Sequence, residues 1–280
     1  MRRRTLRESG KLAESRAGLH HLAKKSLGQN FLIDGNISRK IVESLSISDS
    51  DNILEIGPGK GALTRLLAAR GASVTAVEKD SHLFDSLRDE FGDYSNLHLV
   101  HGDFLSYKFP STATPTKVVG NIPYNLTSQI VSTLVDQRKG ISCAVLMVQD
   151  EVACRLSADA GTKEYGAISI RLQLVSDVQR LFSVSPTCFK PRPRVNSRVI
   201  KVVFRNTEPL SREEDFVAFV KRAFGMRRKM FRHFVSHFYG KESLDLVPER
   251  FKTNRVETFT PEEIYGLFSI LEKNAGSDKA

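Results

Sequence analysis

The sequence has no tryptophan and only three cysteines among its 280 residues. Cys143, Cys154 and Cys188 are widely spaced, which argues against a disulfide framework and against a CxxC metal pair. Long apolar runs are also missing, because no stretch approaches the ~18 consecutive apolar residues of a membrane span. These absences predict a soluble protein without a metal site, in a reducing, cytoplasmic environment.

Basic residues, in contrast, are in excess. The chain carries 42 Lys and Arg against 32 Asp and Glu, a formal net charge of +10. Such an excess favours a polyanionic partner, either nucleic acid or an acidic membrane surface, although a basic surface without a partner is the plainer alternative.

Residues 1–24 concentrate this charge and lack the apolar core of a secretory signal. We interpret them as a mobile basic arm, which on RNA would neutralise phosphates. A transit peptide is disfavoured by two glutamates in this stretch, and a solvated tail without a task is an equal alternative.

Strands and helices alternate along most of the chain. A strand, a glycine-rich turn, a helix and a second strand are predicted in a βαβ unit at 52–56, 57–61, 62–69 and 73–77. Further helices are predicted at 81–91 and 129–137, and further strands at 97–101, 117–120, 143–148, 179–184 and 198–204. The last two strands can form a hairpin across a proline-rich stretch. This order predicts an α/β domain over 25–205, with a mostly parallel sheet covered by helices on both faces.

The pattern becomes helical near residue 206. Ser211 and Glu214 have the spacing of a capping box, and apolar residues recur at helical spacing after it. Thr260 followed by Pro261 predicts a second helix start, with Glu263 in its first turn. Residues 206–280 are therefore predicted to form a small helical domain.

Acidic and glycine residues at three successive strand ends predict a cofactor site. The run from Gly57 to Gly61 (GPGKG) lets the backbone approach a ligand closely, but alone it does not separate a nicotinamide cofactor from S-adenosylmethionine. Glu78 ends the next strand, where a carboxylate can accept hydrogen bonds from ribose hydroxyls. Asp103 follows the third strand and can accept from an adenine amine. Each feature alone has a plain structural explanation, whereas together they line one edge of the sheet.

The turn Asn121-Ile122-Pro123-Tyr124 follows the fourth strand and lies on the same edge. The exocyclic amine of adenine is conjugated with its ring and is a poor nucleophile. The Asn121 side-chain oxygen and the Ile122 carbonyl, which Pro123 holds extended, can accept its two protons and free its lone pair. Tyr124 offers an aromatic face for an extruded base. A simple Asn-Pro turn is the competing interpretation.

Four ordered motifs then mark a resemblance. They read KSLGQNFL from Lys25, EIGPGKG from Glu55, NIPYN from Asn121 and FKPRPRVNS from Phe189. Together, over about residues 24–272, they resemble the KsgA-type ribosomal RNA adenine dimethyltransferases. The resemblance implies a Rossmann-like class I S-adenosyl-L-methionine methyltransferase fold. It also implies dimethylation of two adjacent adenines in a hairpin near the 3′ end of small-subunit ribosomal RNA.

The resemblance also implies roles for particular residues. Cofactor positions carry over to Asn30, Leu32, Gly57, Glu78, Asp103 and Asn121, with Gln29 nearby. Phe189 matches the aromatic that sandwiches the flipped adenine against Tyr124, with core packing as its alternative role. The family's usual Pro-Pro-Pro-Lys-Val-Asp is here Pro-Arg-Pro-Arg-Val-Asn, which alters the local charge.

Basic residues of two segments are predicted to bind RNA, although a solvated cationic face explains them as well. They are Arg192, Arg194, Arg227, Arg228, Lys229 and Arg232. The small ribosomal subunit or its precursor is the expected partner of a monomeric enzyme.

Three other functions compete with this interpretation. The macrolide-resistance methyltransferases of large-subunit RNA share the glycine loop and the NIPY turn, but the C-terminal basic residues favour the small-subunit family. A mainly non-catalytic ribosome-assembly factor would not need Glu78, Asp103 and the NIPY turn. A nicotinamide oxidoreductase is disfavoured because no hydride-transfer constellation accompanies the loop.

Overall fold

The computed structural model describes residues 29–110, 114–205 and 212–277. The predicted arm at 1–24 and the proposed cap Ser211 lie outside these ranges. Nine strands are assigned within them: β1 (Phe31–Leu32), β2 (Asn52–Ile56), β3 (Ser73–Glu78), β4 (Leu97–His101), β5 (Thr116–Asn121), β6 (Ile141–Gln149), β7 (Ser176–Val184), β8 (Phe189–Lys190) and β9 (Ser197–Phe204). The α-helices are α1 (Gly35–Ser44), α2 (Thr64–Ala68), α3 (Ser81–Phe91), α4 (Thr127–Asp136), α5 (Asp150–Leu156), α6 (Ala167–Gln173), α7 (Glu213–Gly225), α8 (Phe231–Phe238), α9 (Glu249–Lys252) and α10 (Pro261–Ser277).

Seven strands form one sheet in the order β4-β3-β2-β5-β6-β9-β7. The first five strands in this order, β4, β3, β2, β5 and β6, are parallel. Strand β9 pairs antiparallel with both β6 and β7. The strand order reverses between β2 and β5, and such a switch point opens a crevice beyond the carboxyl ends of the strands. The predicted α/β sheet and the antiparallel pairing of its last two strands are confirmed.

The proline-rich stretch between β7 and β9 does more than connect them. Its strand β8 pairs antiparallel with β1, which places Leu32 opposite Phe189. Neither of these short strands was predicted, because two residues carry no periodicity. The pair ties the segment 29–32 to the edge of the crevice.

Alternating residues of the central strands bury two separate apolar layers. In β6, Ala144, Leu146 and Val148 face one layer, whereas Val145 and Met147 face the other. This is the two-residue period of a strand that is covered on both faces. The first layer continues without a break into α7, α8 and α10.

The C-terminal helices therefore share one apolar core with the sheet. Buried Arg138, after α4, reaches Glu213 at the start of α7 with a nitrogen–oxygen distance of 3.1 Å. Helix α7 begins after Arg212, which has a left-handed φ of 55°. The predicted start of α10 is confirmed as a reciprocal capping box, since Thr260 and Glu263 each accept the other's backbone N–H, at 3.2 and 3.0 Å.

Candidate active site

A crevice of about 1080 Å³, counted to its open mouth, lies at the carboxyl ends of β2, β3, β4 and β5. Its walls include the segment 29–32, the glycine turn, and the residues after each of these strands. The structure thus brings all of the predicted cofactor positions to one site: Asn30, Leu32, Gly57, Glu78, Asp103 and Asn121.

The turn after β2 has the backbone that only glycine adopts easily. Gly57 and Gly59 both have φ of +61°. A Cβ added to Gly57 would meet no atom within 4 Å and would occupy the open crevice, whereas one at Gly59 would press on the Phe31 ring at 3.2 Å. Gly57 therefore leaves a cradle in which a ligand can approach the main chain.

Glu78 is buried at the end of β3 and is held by the glycine turn. Its carboxylate accepts a hydrogen bond from the Gly59 N–H at 3.0 Å and another from the Asp80 N–H at 2.8 Å. Burial raises the pKa of this carboxyl group. A carboxylate offers about four lone pairs, so those that the two amides leave can receive a pair of ribose hydroxyls.

Asp103 follows β4 and is paired with a lysine. Lys79 Nζ lies 2.7 Å from one carboxylate oxygen, and the Leu105 N–H donates to the other at 3.0 Å. The hydrogen bond from Lys79 lowers the pKa of Asp103. Asp103 is therefore an ionised acceptor at neutral pH, which suits the amine of a bound adenine ring. The cradle and these two acceptors fit the adenosine part of S-adenosylmethionine.

The side chain of Asn121 is oriented by the segment 29–32. Its Nδ2 donates to the Asn30 carbonyl at 2.8 Å. Within the described part of the chain no group donates to Oδ1, so this oxygen is available as an acceptor. The predicted use of Asn121 requires this orientation of the amide.

The rest of the predicted reaction turn also lines the crevice. Ile122 is 1% exposed, and Pro123 is extended with ψ of 132°. Tyr124 is half-buried, with its hydroxyl oxygen 2.6 Å from Ser197 Oγ. Burial raises the pKa of Tyr124, so its hydroxyl stays protonated.

Phe189 is not brought into this wall. Its ring is 2% exposed and packs in the second apolar layer, opposite Leu32 in the β1–β8 pair. The alternative role, core packing, describes the observed position. The predicted stacking of a flipped adenine between Phe189 and Tyr124 stays a prediction, because the buried Phe189 ring does not face the crevice in this structure.

Glu55 was missed as a functional candidate. It lies within β2, is 1% exposed, lines the crevice, and accepts a hydrogen bond from Thr64 Oγ1 at 2.7 Å. Burial raises its pKa to about 8. An acid between the apolar residues Leu54 and Ile56 of a strand was the signal that could have identified it.

The predicted RNA-binding residues differ in their surroundings. Arg192, Arg194, Arg228, Lys229 and Arg232 are exposed. Arg227 is instead half-buried, with its Nε 2.5 Å from Glu257 and its two terminal nitrogens 3.4 and 3.5 Å from the Lys163 carbonyl. Arg227 therefore links α7 to two neighbouring loops, and five of the six basic side chains remain open to a partner.

None of the helices within residues 29–110, 114–205 and 212–277 combines the length with the apolar composition that a membrane span needs. Over the same ranges, no three His, Cys, Asp or Glu side chains come together as a metal site would require.

The chain was also compared with protein families and with individual known proteins. Residues 20–273 match the family model of the ribosomal RNA adenine dimethylases. The ribosomal RNA small subunit methyltransferase A of Prosthecochloris aestuarii is 44% identical over 248 residues, covering 88% of this chain and 93% of that protein. The protein with the same name from Chlorobaculum parvum is 42% identical and covers 93% of both chains, and that of Enterococcus faecalis is 38% identical and covers 90% and 91%.

Two solved structures share the architecture. A dimethyladenosine transferase from Plasmodium falciparum superimposes with a TM-score of 0.79 at 24% identity, covering 88% of this chain and 98% of that one. The 23S rRNA methyltransferase ErmE superimposes with a TM-score of 0.68 at 28% identity, covering 87% and 100%. The family model spans both the sheet and the C-terminal helices, and with the relatives at 42–44% identity it establishes that the chain belongs to the ribosomal RNA adenine dimethylase family.

Proposed function

We propose that this protein is an S-adenosyl-L-methionine-dependent methyltransferase that dimethylates N6 of two adjacent adenines in a hairpin near the 3′ end of small-subunit ribosomal RNA. One observation carries the proposal: Asn121, with its amide tied to Asn30, shares a crevice with the acceptors Glu78 and Asp103. The names of the relatives, which are 38–44% identical, support the small subunit as substrate.

Three groups of the chain hold the cofactor in this proposal. The Gly57 main chain lies against it, Glu78 accepts from its ribose, and Asp103 accepts from its adenine amine. When bound, S-adenosylmethionine supplies an electrophilic methyl group, so that a nitrogen–carbon bond forms as a sulfur–carbon bond breaks.

The reaction turn prepares the nucleophile. Asn121 Oδ1 and the Ile122 carbonyl accept the two amine protons of the target adenine and withdraw its lone pair from conjugation with the ring. No general base is required before attack, because the nitrogen loses a proton once it has become cationic. Tyr124 stacks on the base, which must leave its helix to reach the crevice. Positioning therefore accounts for most of the rate.

The exposed basic residues Arg192, Arg194, Arg228, Lys229 and Arg232 are proposed to hold the RNA backbone. The partner is the small ribosomal subunit or its precursor, and the enzyme acts as a cytoplasmic monomer. A large-subunit adenine is the second candidate substrate, which the likeness to ErmE favours. A mainly non-catalytic assembly role is disfavoured, because binding RNA does not require the cofactor cradle.

The test supplies radiolabelled S-adenosylmethionine with undermethylated small and large ribosomal subunits in parallel. We expect label on the small subunit only, mapped as N6,N6-dimethyladenine at two neighbouring positions. Label confined to the large subunit would replace this proposal with the second candidate. Tight binding to the small subunit without any label would leave only the assembly role.

A further inference from the structure

Tyr124 and Ser197 connect two loops that the sequence keeps far apart. Tyr124 ends the turn after β5, and Ser197 is the first residue of β9, after the proline-rich stretch. Their hydroxyl oxygens lie 2.6 Å apart, so either can donate to the other. A direct hydrogen bond thus joins the reaction turn to the strand that follows the basic Arg192–Arg194 segment.

Ser197 is a rigid anchor for this bond. Its exposure is 0%, and it is paired with Gln149 of β6 on one side and Val184 of β7 on the other. The residues beside it are held as well, because the Asp150 N–H donates to the Asn196 carbonyl at 3.0 Å and the Arg198 guanidinium pairs with the Asp150 carboxylate. The backbone of Ser197 is therefore fixed by the sheet, and its Oγ can turn about only one side-chain torsion.

Tyr124, in contrast, depends on a tether. Its ring forms part of the crevice wall and is only half-buried, so packing alone does not fix its two side-chain torsions. A bond at the far end of the ring restricts both rotations, because the hydroxyl must stay within hydrogen-bond distance of an immobile partner. The hydroxyl is protonated at neutral pH, because burial raises the pKa of Tyr124, so this restriction persists under the conditions of the reaction.

We propose that Ser197 is a positioning residue whose hydroxyl fixes the plane of the Tyr124 ring and thereby the face on which the target adenine stacks. The inference rests on the proposed function, since it assigns to Tyr124 the stacking role described there. Ser197 does not touch the base in this proposal. It acts by keeping the stacked adenine in register with the Asn121 oxygen.

The test is a double-mutant cycle on methyl transfer to undermethylated small subunits. Ser197→Ala and Tyr124→Phe each remove one side of the bond and leave the ring in place. We expect each to lower kcat about tenfold, the size expected when one buried hydrogen bond is removed, with KM for the subunit within twofold. The double variant should be no slower than either single variant, because both changes abolish the same interaction.

Ser176→Ala is the matched control. Ser176 is also a buried serine at the start of a strand, and its hydroxyl donates to the Leu172 carbonyl at 2.7 Å. It lies opposite Phe204, at the other end of β9 from Ser197. We expect it to lower thermal stability about as much as Ser197→Ala and to leave kcat unchanged. Equal losses of kcat in the two serine variants would mean a structural role and would overturn the inference.

Other outcomes separate the two proposals. An inactive wild type with bound subunits would remove the proposed function itself. An active wild type with additive losses in the double variant, or with full activity in Tyr124→Phe, would overturn only the role of Ser197. If Ser197→Ala does not fold, Tyr124→Phe alone decides, because the same bond is broken with the serine intact. Binding of S-adenosylmethionine, measured by calorimetry, should be the same in the wild type, the two single variants and the double variant.

Discussion

The crevice and the C-terminal helices hold their side chains in place by different interactions. In the crevice, main-chain hydrogen bonds of 2.8–3.0 Å hold the side chains: Glu78 accepts two of them and Asn121 donates one. In the helices, buried rings pack edge to face, as Phe219 does against Phe234 and Phe268 at centroid distances of 5.2 and 5.5 Å. We therefore expect a substitution in the crevice to lower activity while the protein stays folded. Removal of one buried ring from the helices should instead lower the stability of the fold.

The largest expected effect tests the helical side of this comparison. Phe219→Ala should lower the free energy of unfolding by about 3–5 kcal/mol, because it empties a fully buried ring site. Urea unfolding should show one transition, since the apolar layer of α7 continues into the sheet. Phe238→Ala is the control: its ring is 40% exposed, and the change should cost about 1 kcal/mol or less. Two separate transitions would indicate that the helices form an independent unit.

The next effect tests the crevice. Asn121→Ala should lower kcat for methyl transfer about 10²–10³-fold, the usual cost of removing one preorganised polar group at a reacting centre. The melting temperature should change little, and binding to the small subunit should stay within a few-fold. Asn52→Ala is the matched control, because its amide also donates to a carbonyl, that of Thr114, at the opposite end of the same sheet. Full activity of Asn121→Ala would remove the argument for amine activation.

A smaller effect, on the salt dependence of RNA binding, distinguishes the exposed basic residues from Arg227. Replacing Arg228, Lys229 and Arg232 together by Ala should make the dependence of RNA affinity on salt less steep, by about one unit of log–log slope for each phosphate that the protein no longer neutralises. Arg227→Ala should instead lower stability and leave this slope nearly unchanged, since its guanidinium is held by Glu257 and Lys163. A salt titration of RNA binding measures both. An unchanged slope in the triple variant would show that this surface is not the RNA site.

The smallest effect concerns the one crevice carboxyl that the proposed reaction does not use. Burial raises the pKa of Glu55 to about 8, so protonation stabilises the folded protein. This contribution is full below the ordinary pKa of a glutamate and is lost as the pH rises through about 8. Glu55→Gln cannot titrate and can still accept from Thr64, so its stability relative to the wild type should increase between pH 5 and pH 9. Melting curves across this range measure the difference, and parallel curves would contradict it.

The regular elements of the sheet were largely predictable. Strand 97–101 and helix 81–91 were predicted with the observed bounds, because each carries a complete apolar pattern and a clear end. Helices α5 and α6, of seven residues each, were not predicted, since two turns give too short a period to recognise.

The candidate site also has a part that could be predicted from the sequence and a part that could not. Gly57, Glu78, Asp103 and Asn121 could be placed at one edge because parallel strands all end there. The partners of these residues could not be predicted. Asn30 lies 91 positions from Asn121, and Ser197 lies 73 from Tyr124. Hydrogen bonds over such separations leave no local pattern in the chain.

The sequence by itself determined the seven strands of the main sheet, the glycine turn and the polar residues at the strand ends, because each depends on neighbours within a few positions. Only the tertiary structure decided which way the Asn121 amide points, that Phe189 packs in the core, that Arg227 is engaged while Arg228 is exposed, and that Glu55 holds a proton near neutral pH. These properties depend on burial and on contacts between distant segments, which exist only once the sheet and the C-terminal helices have packed together.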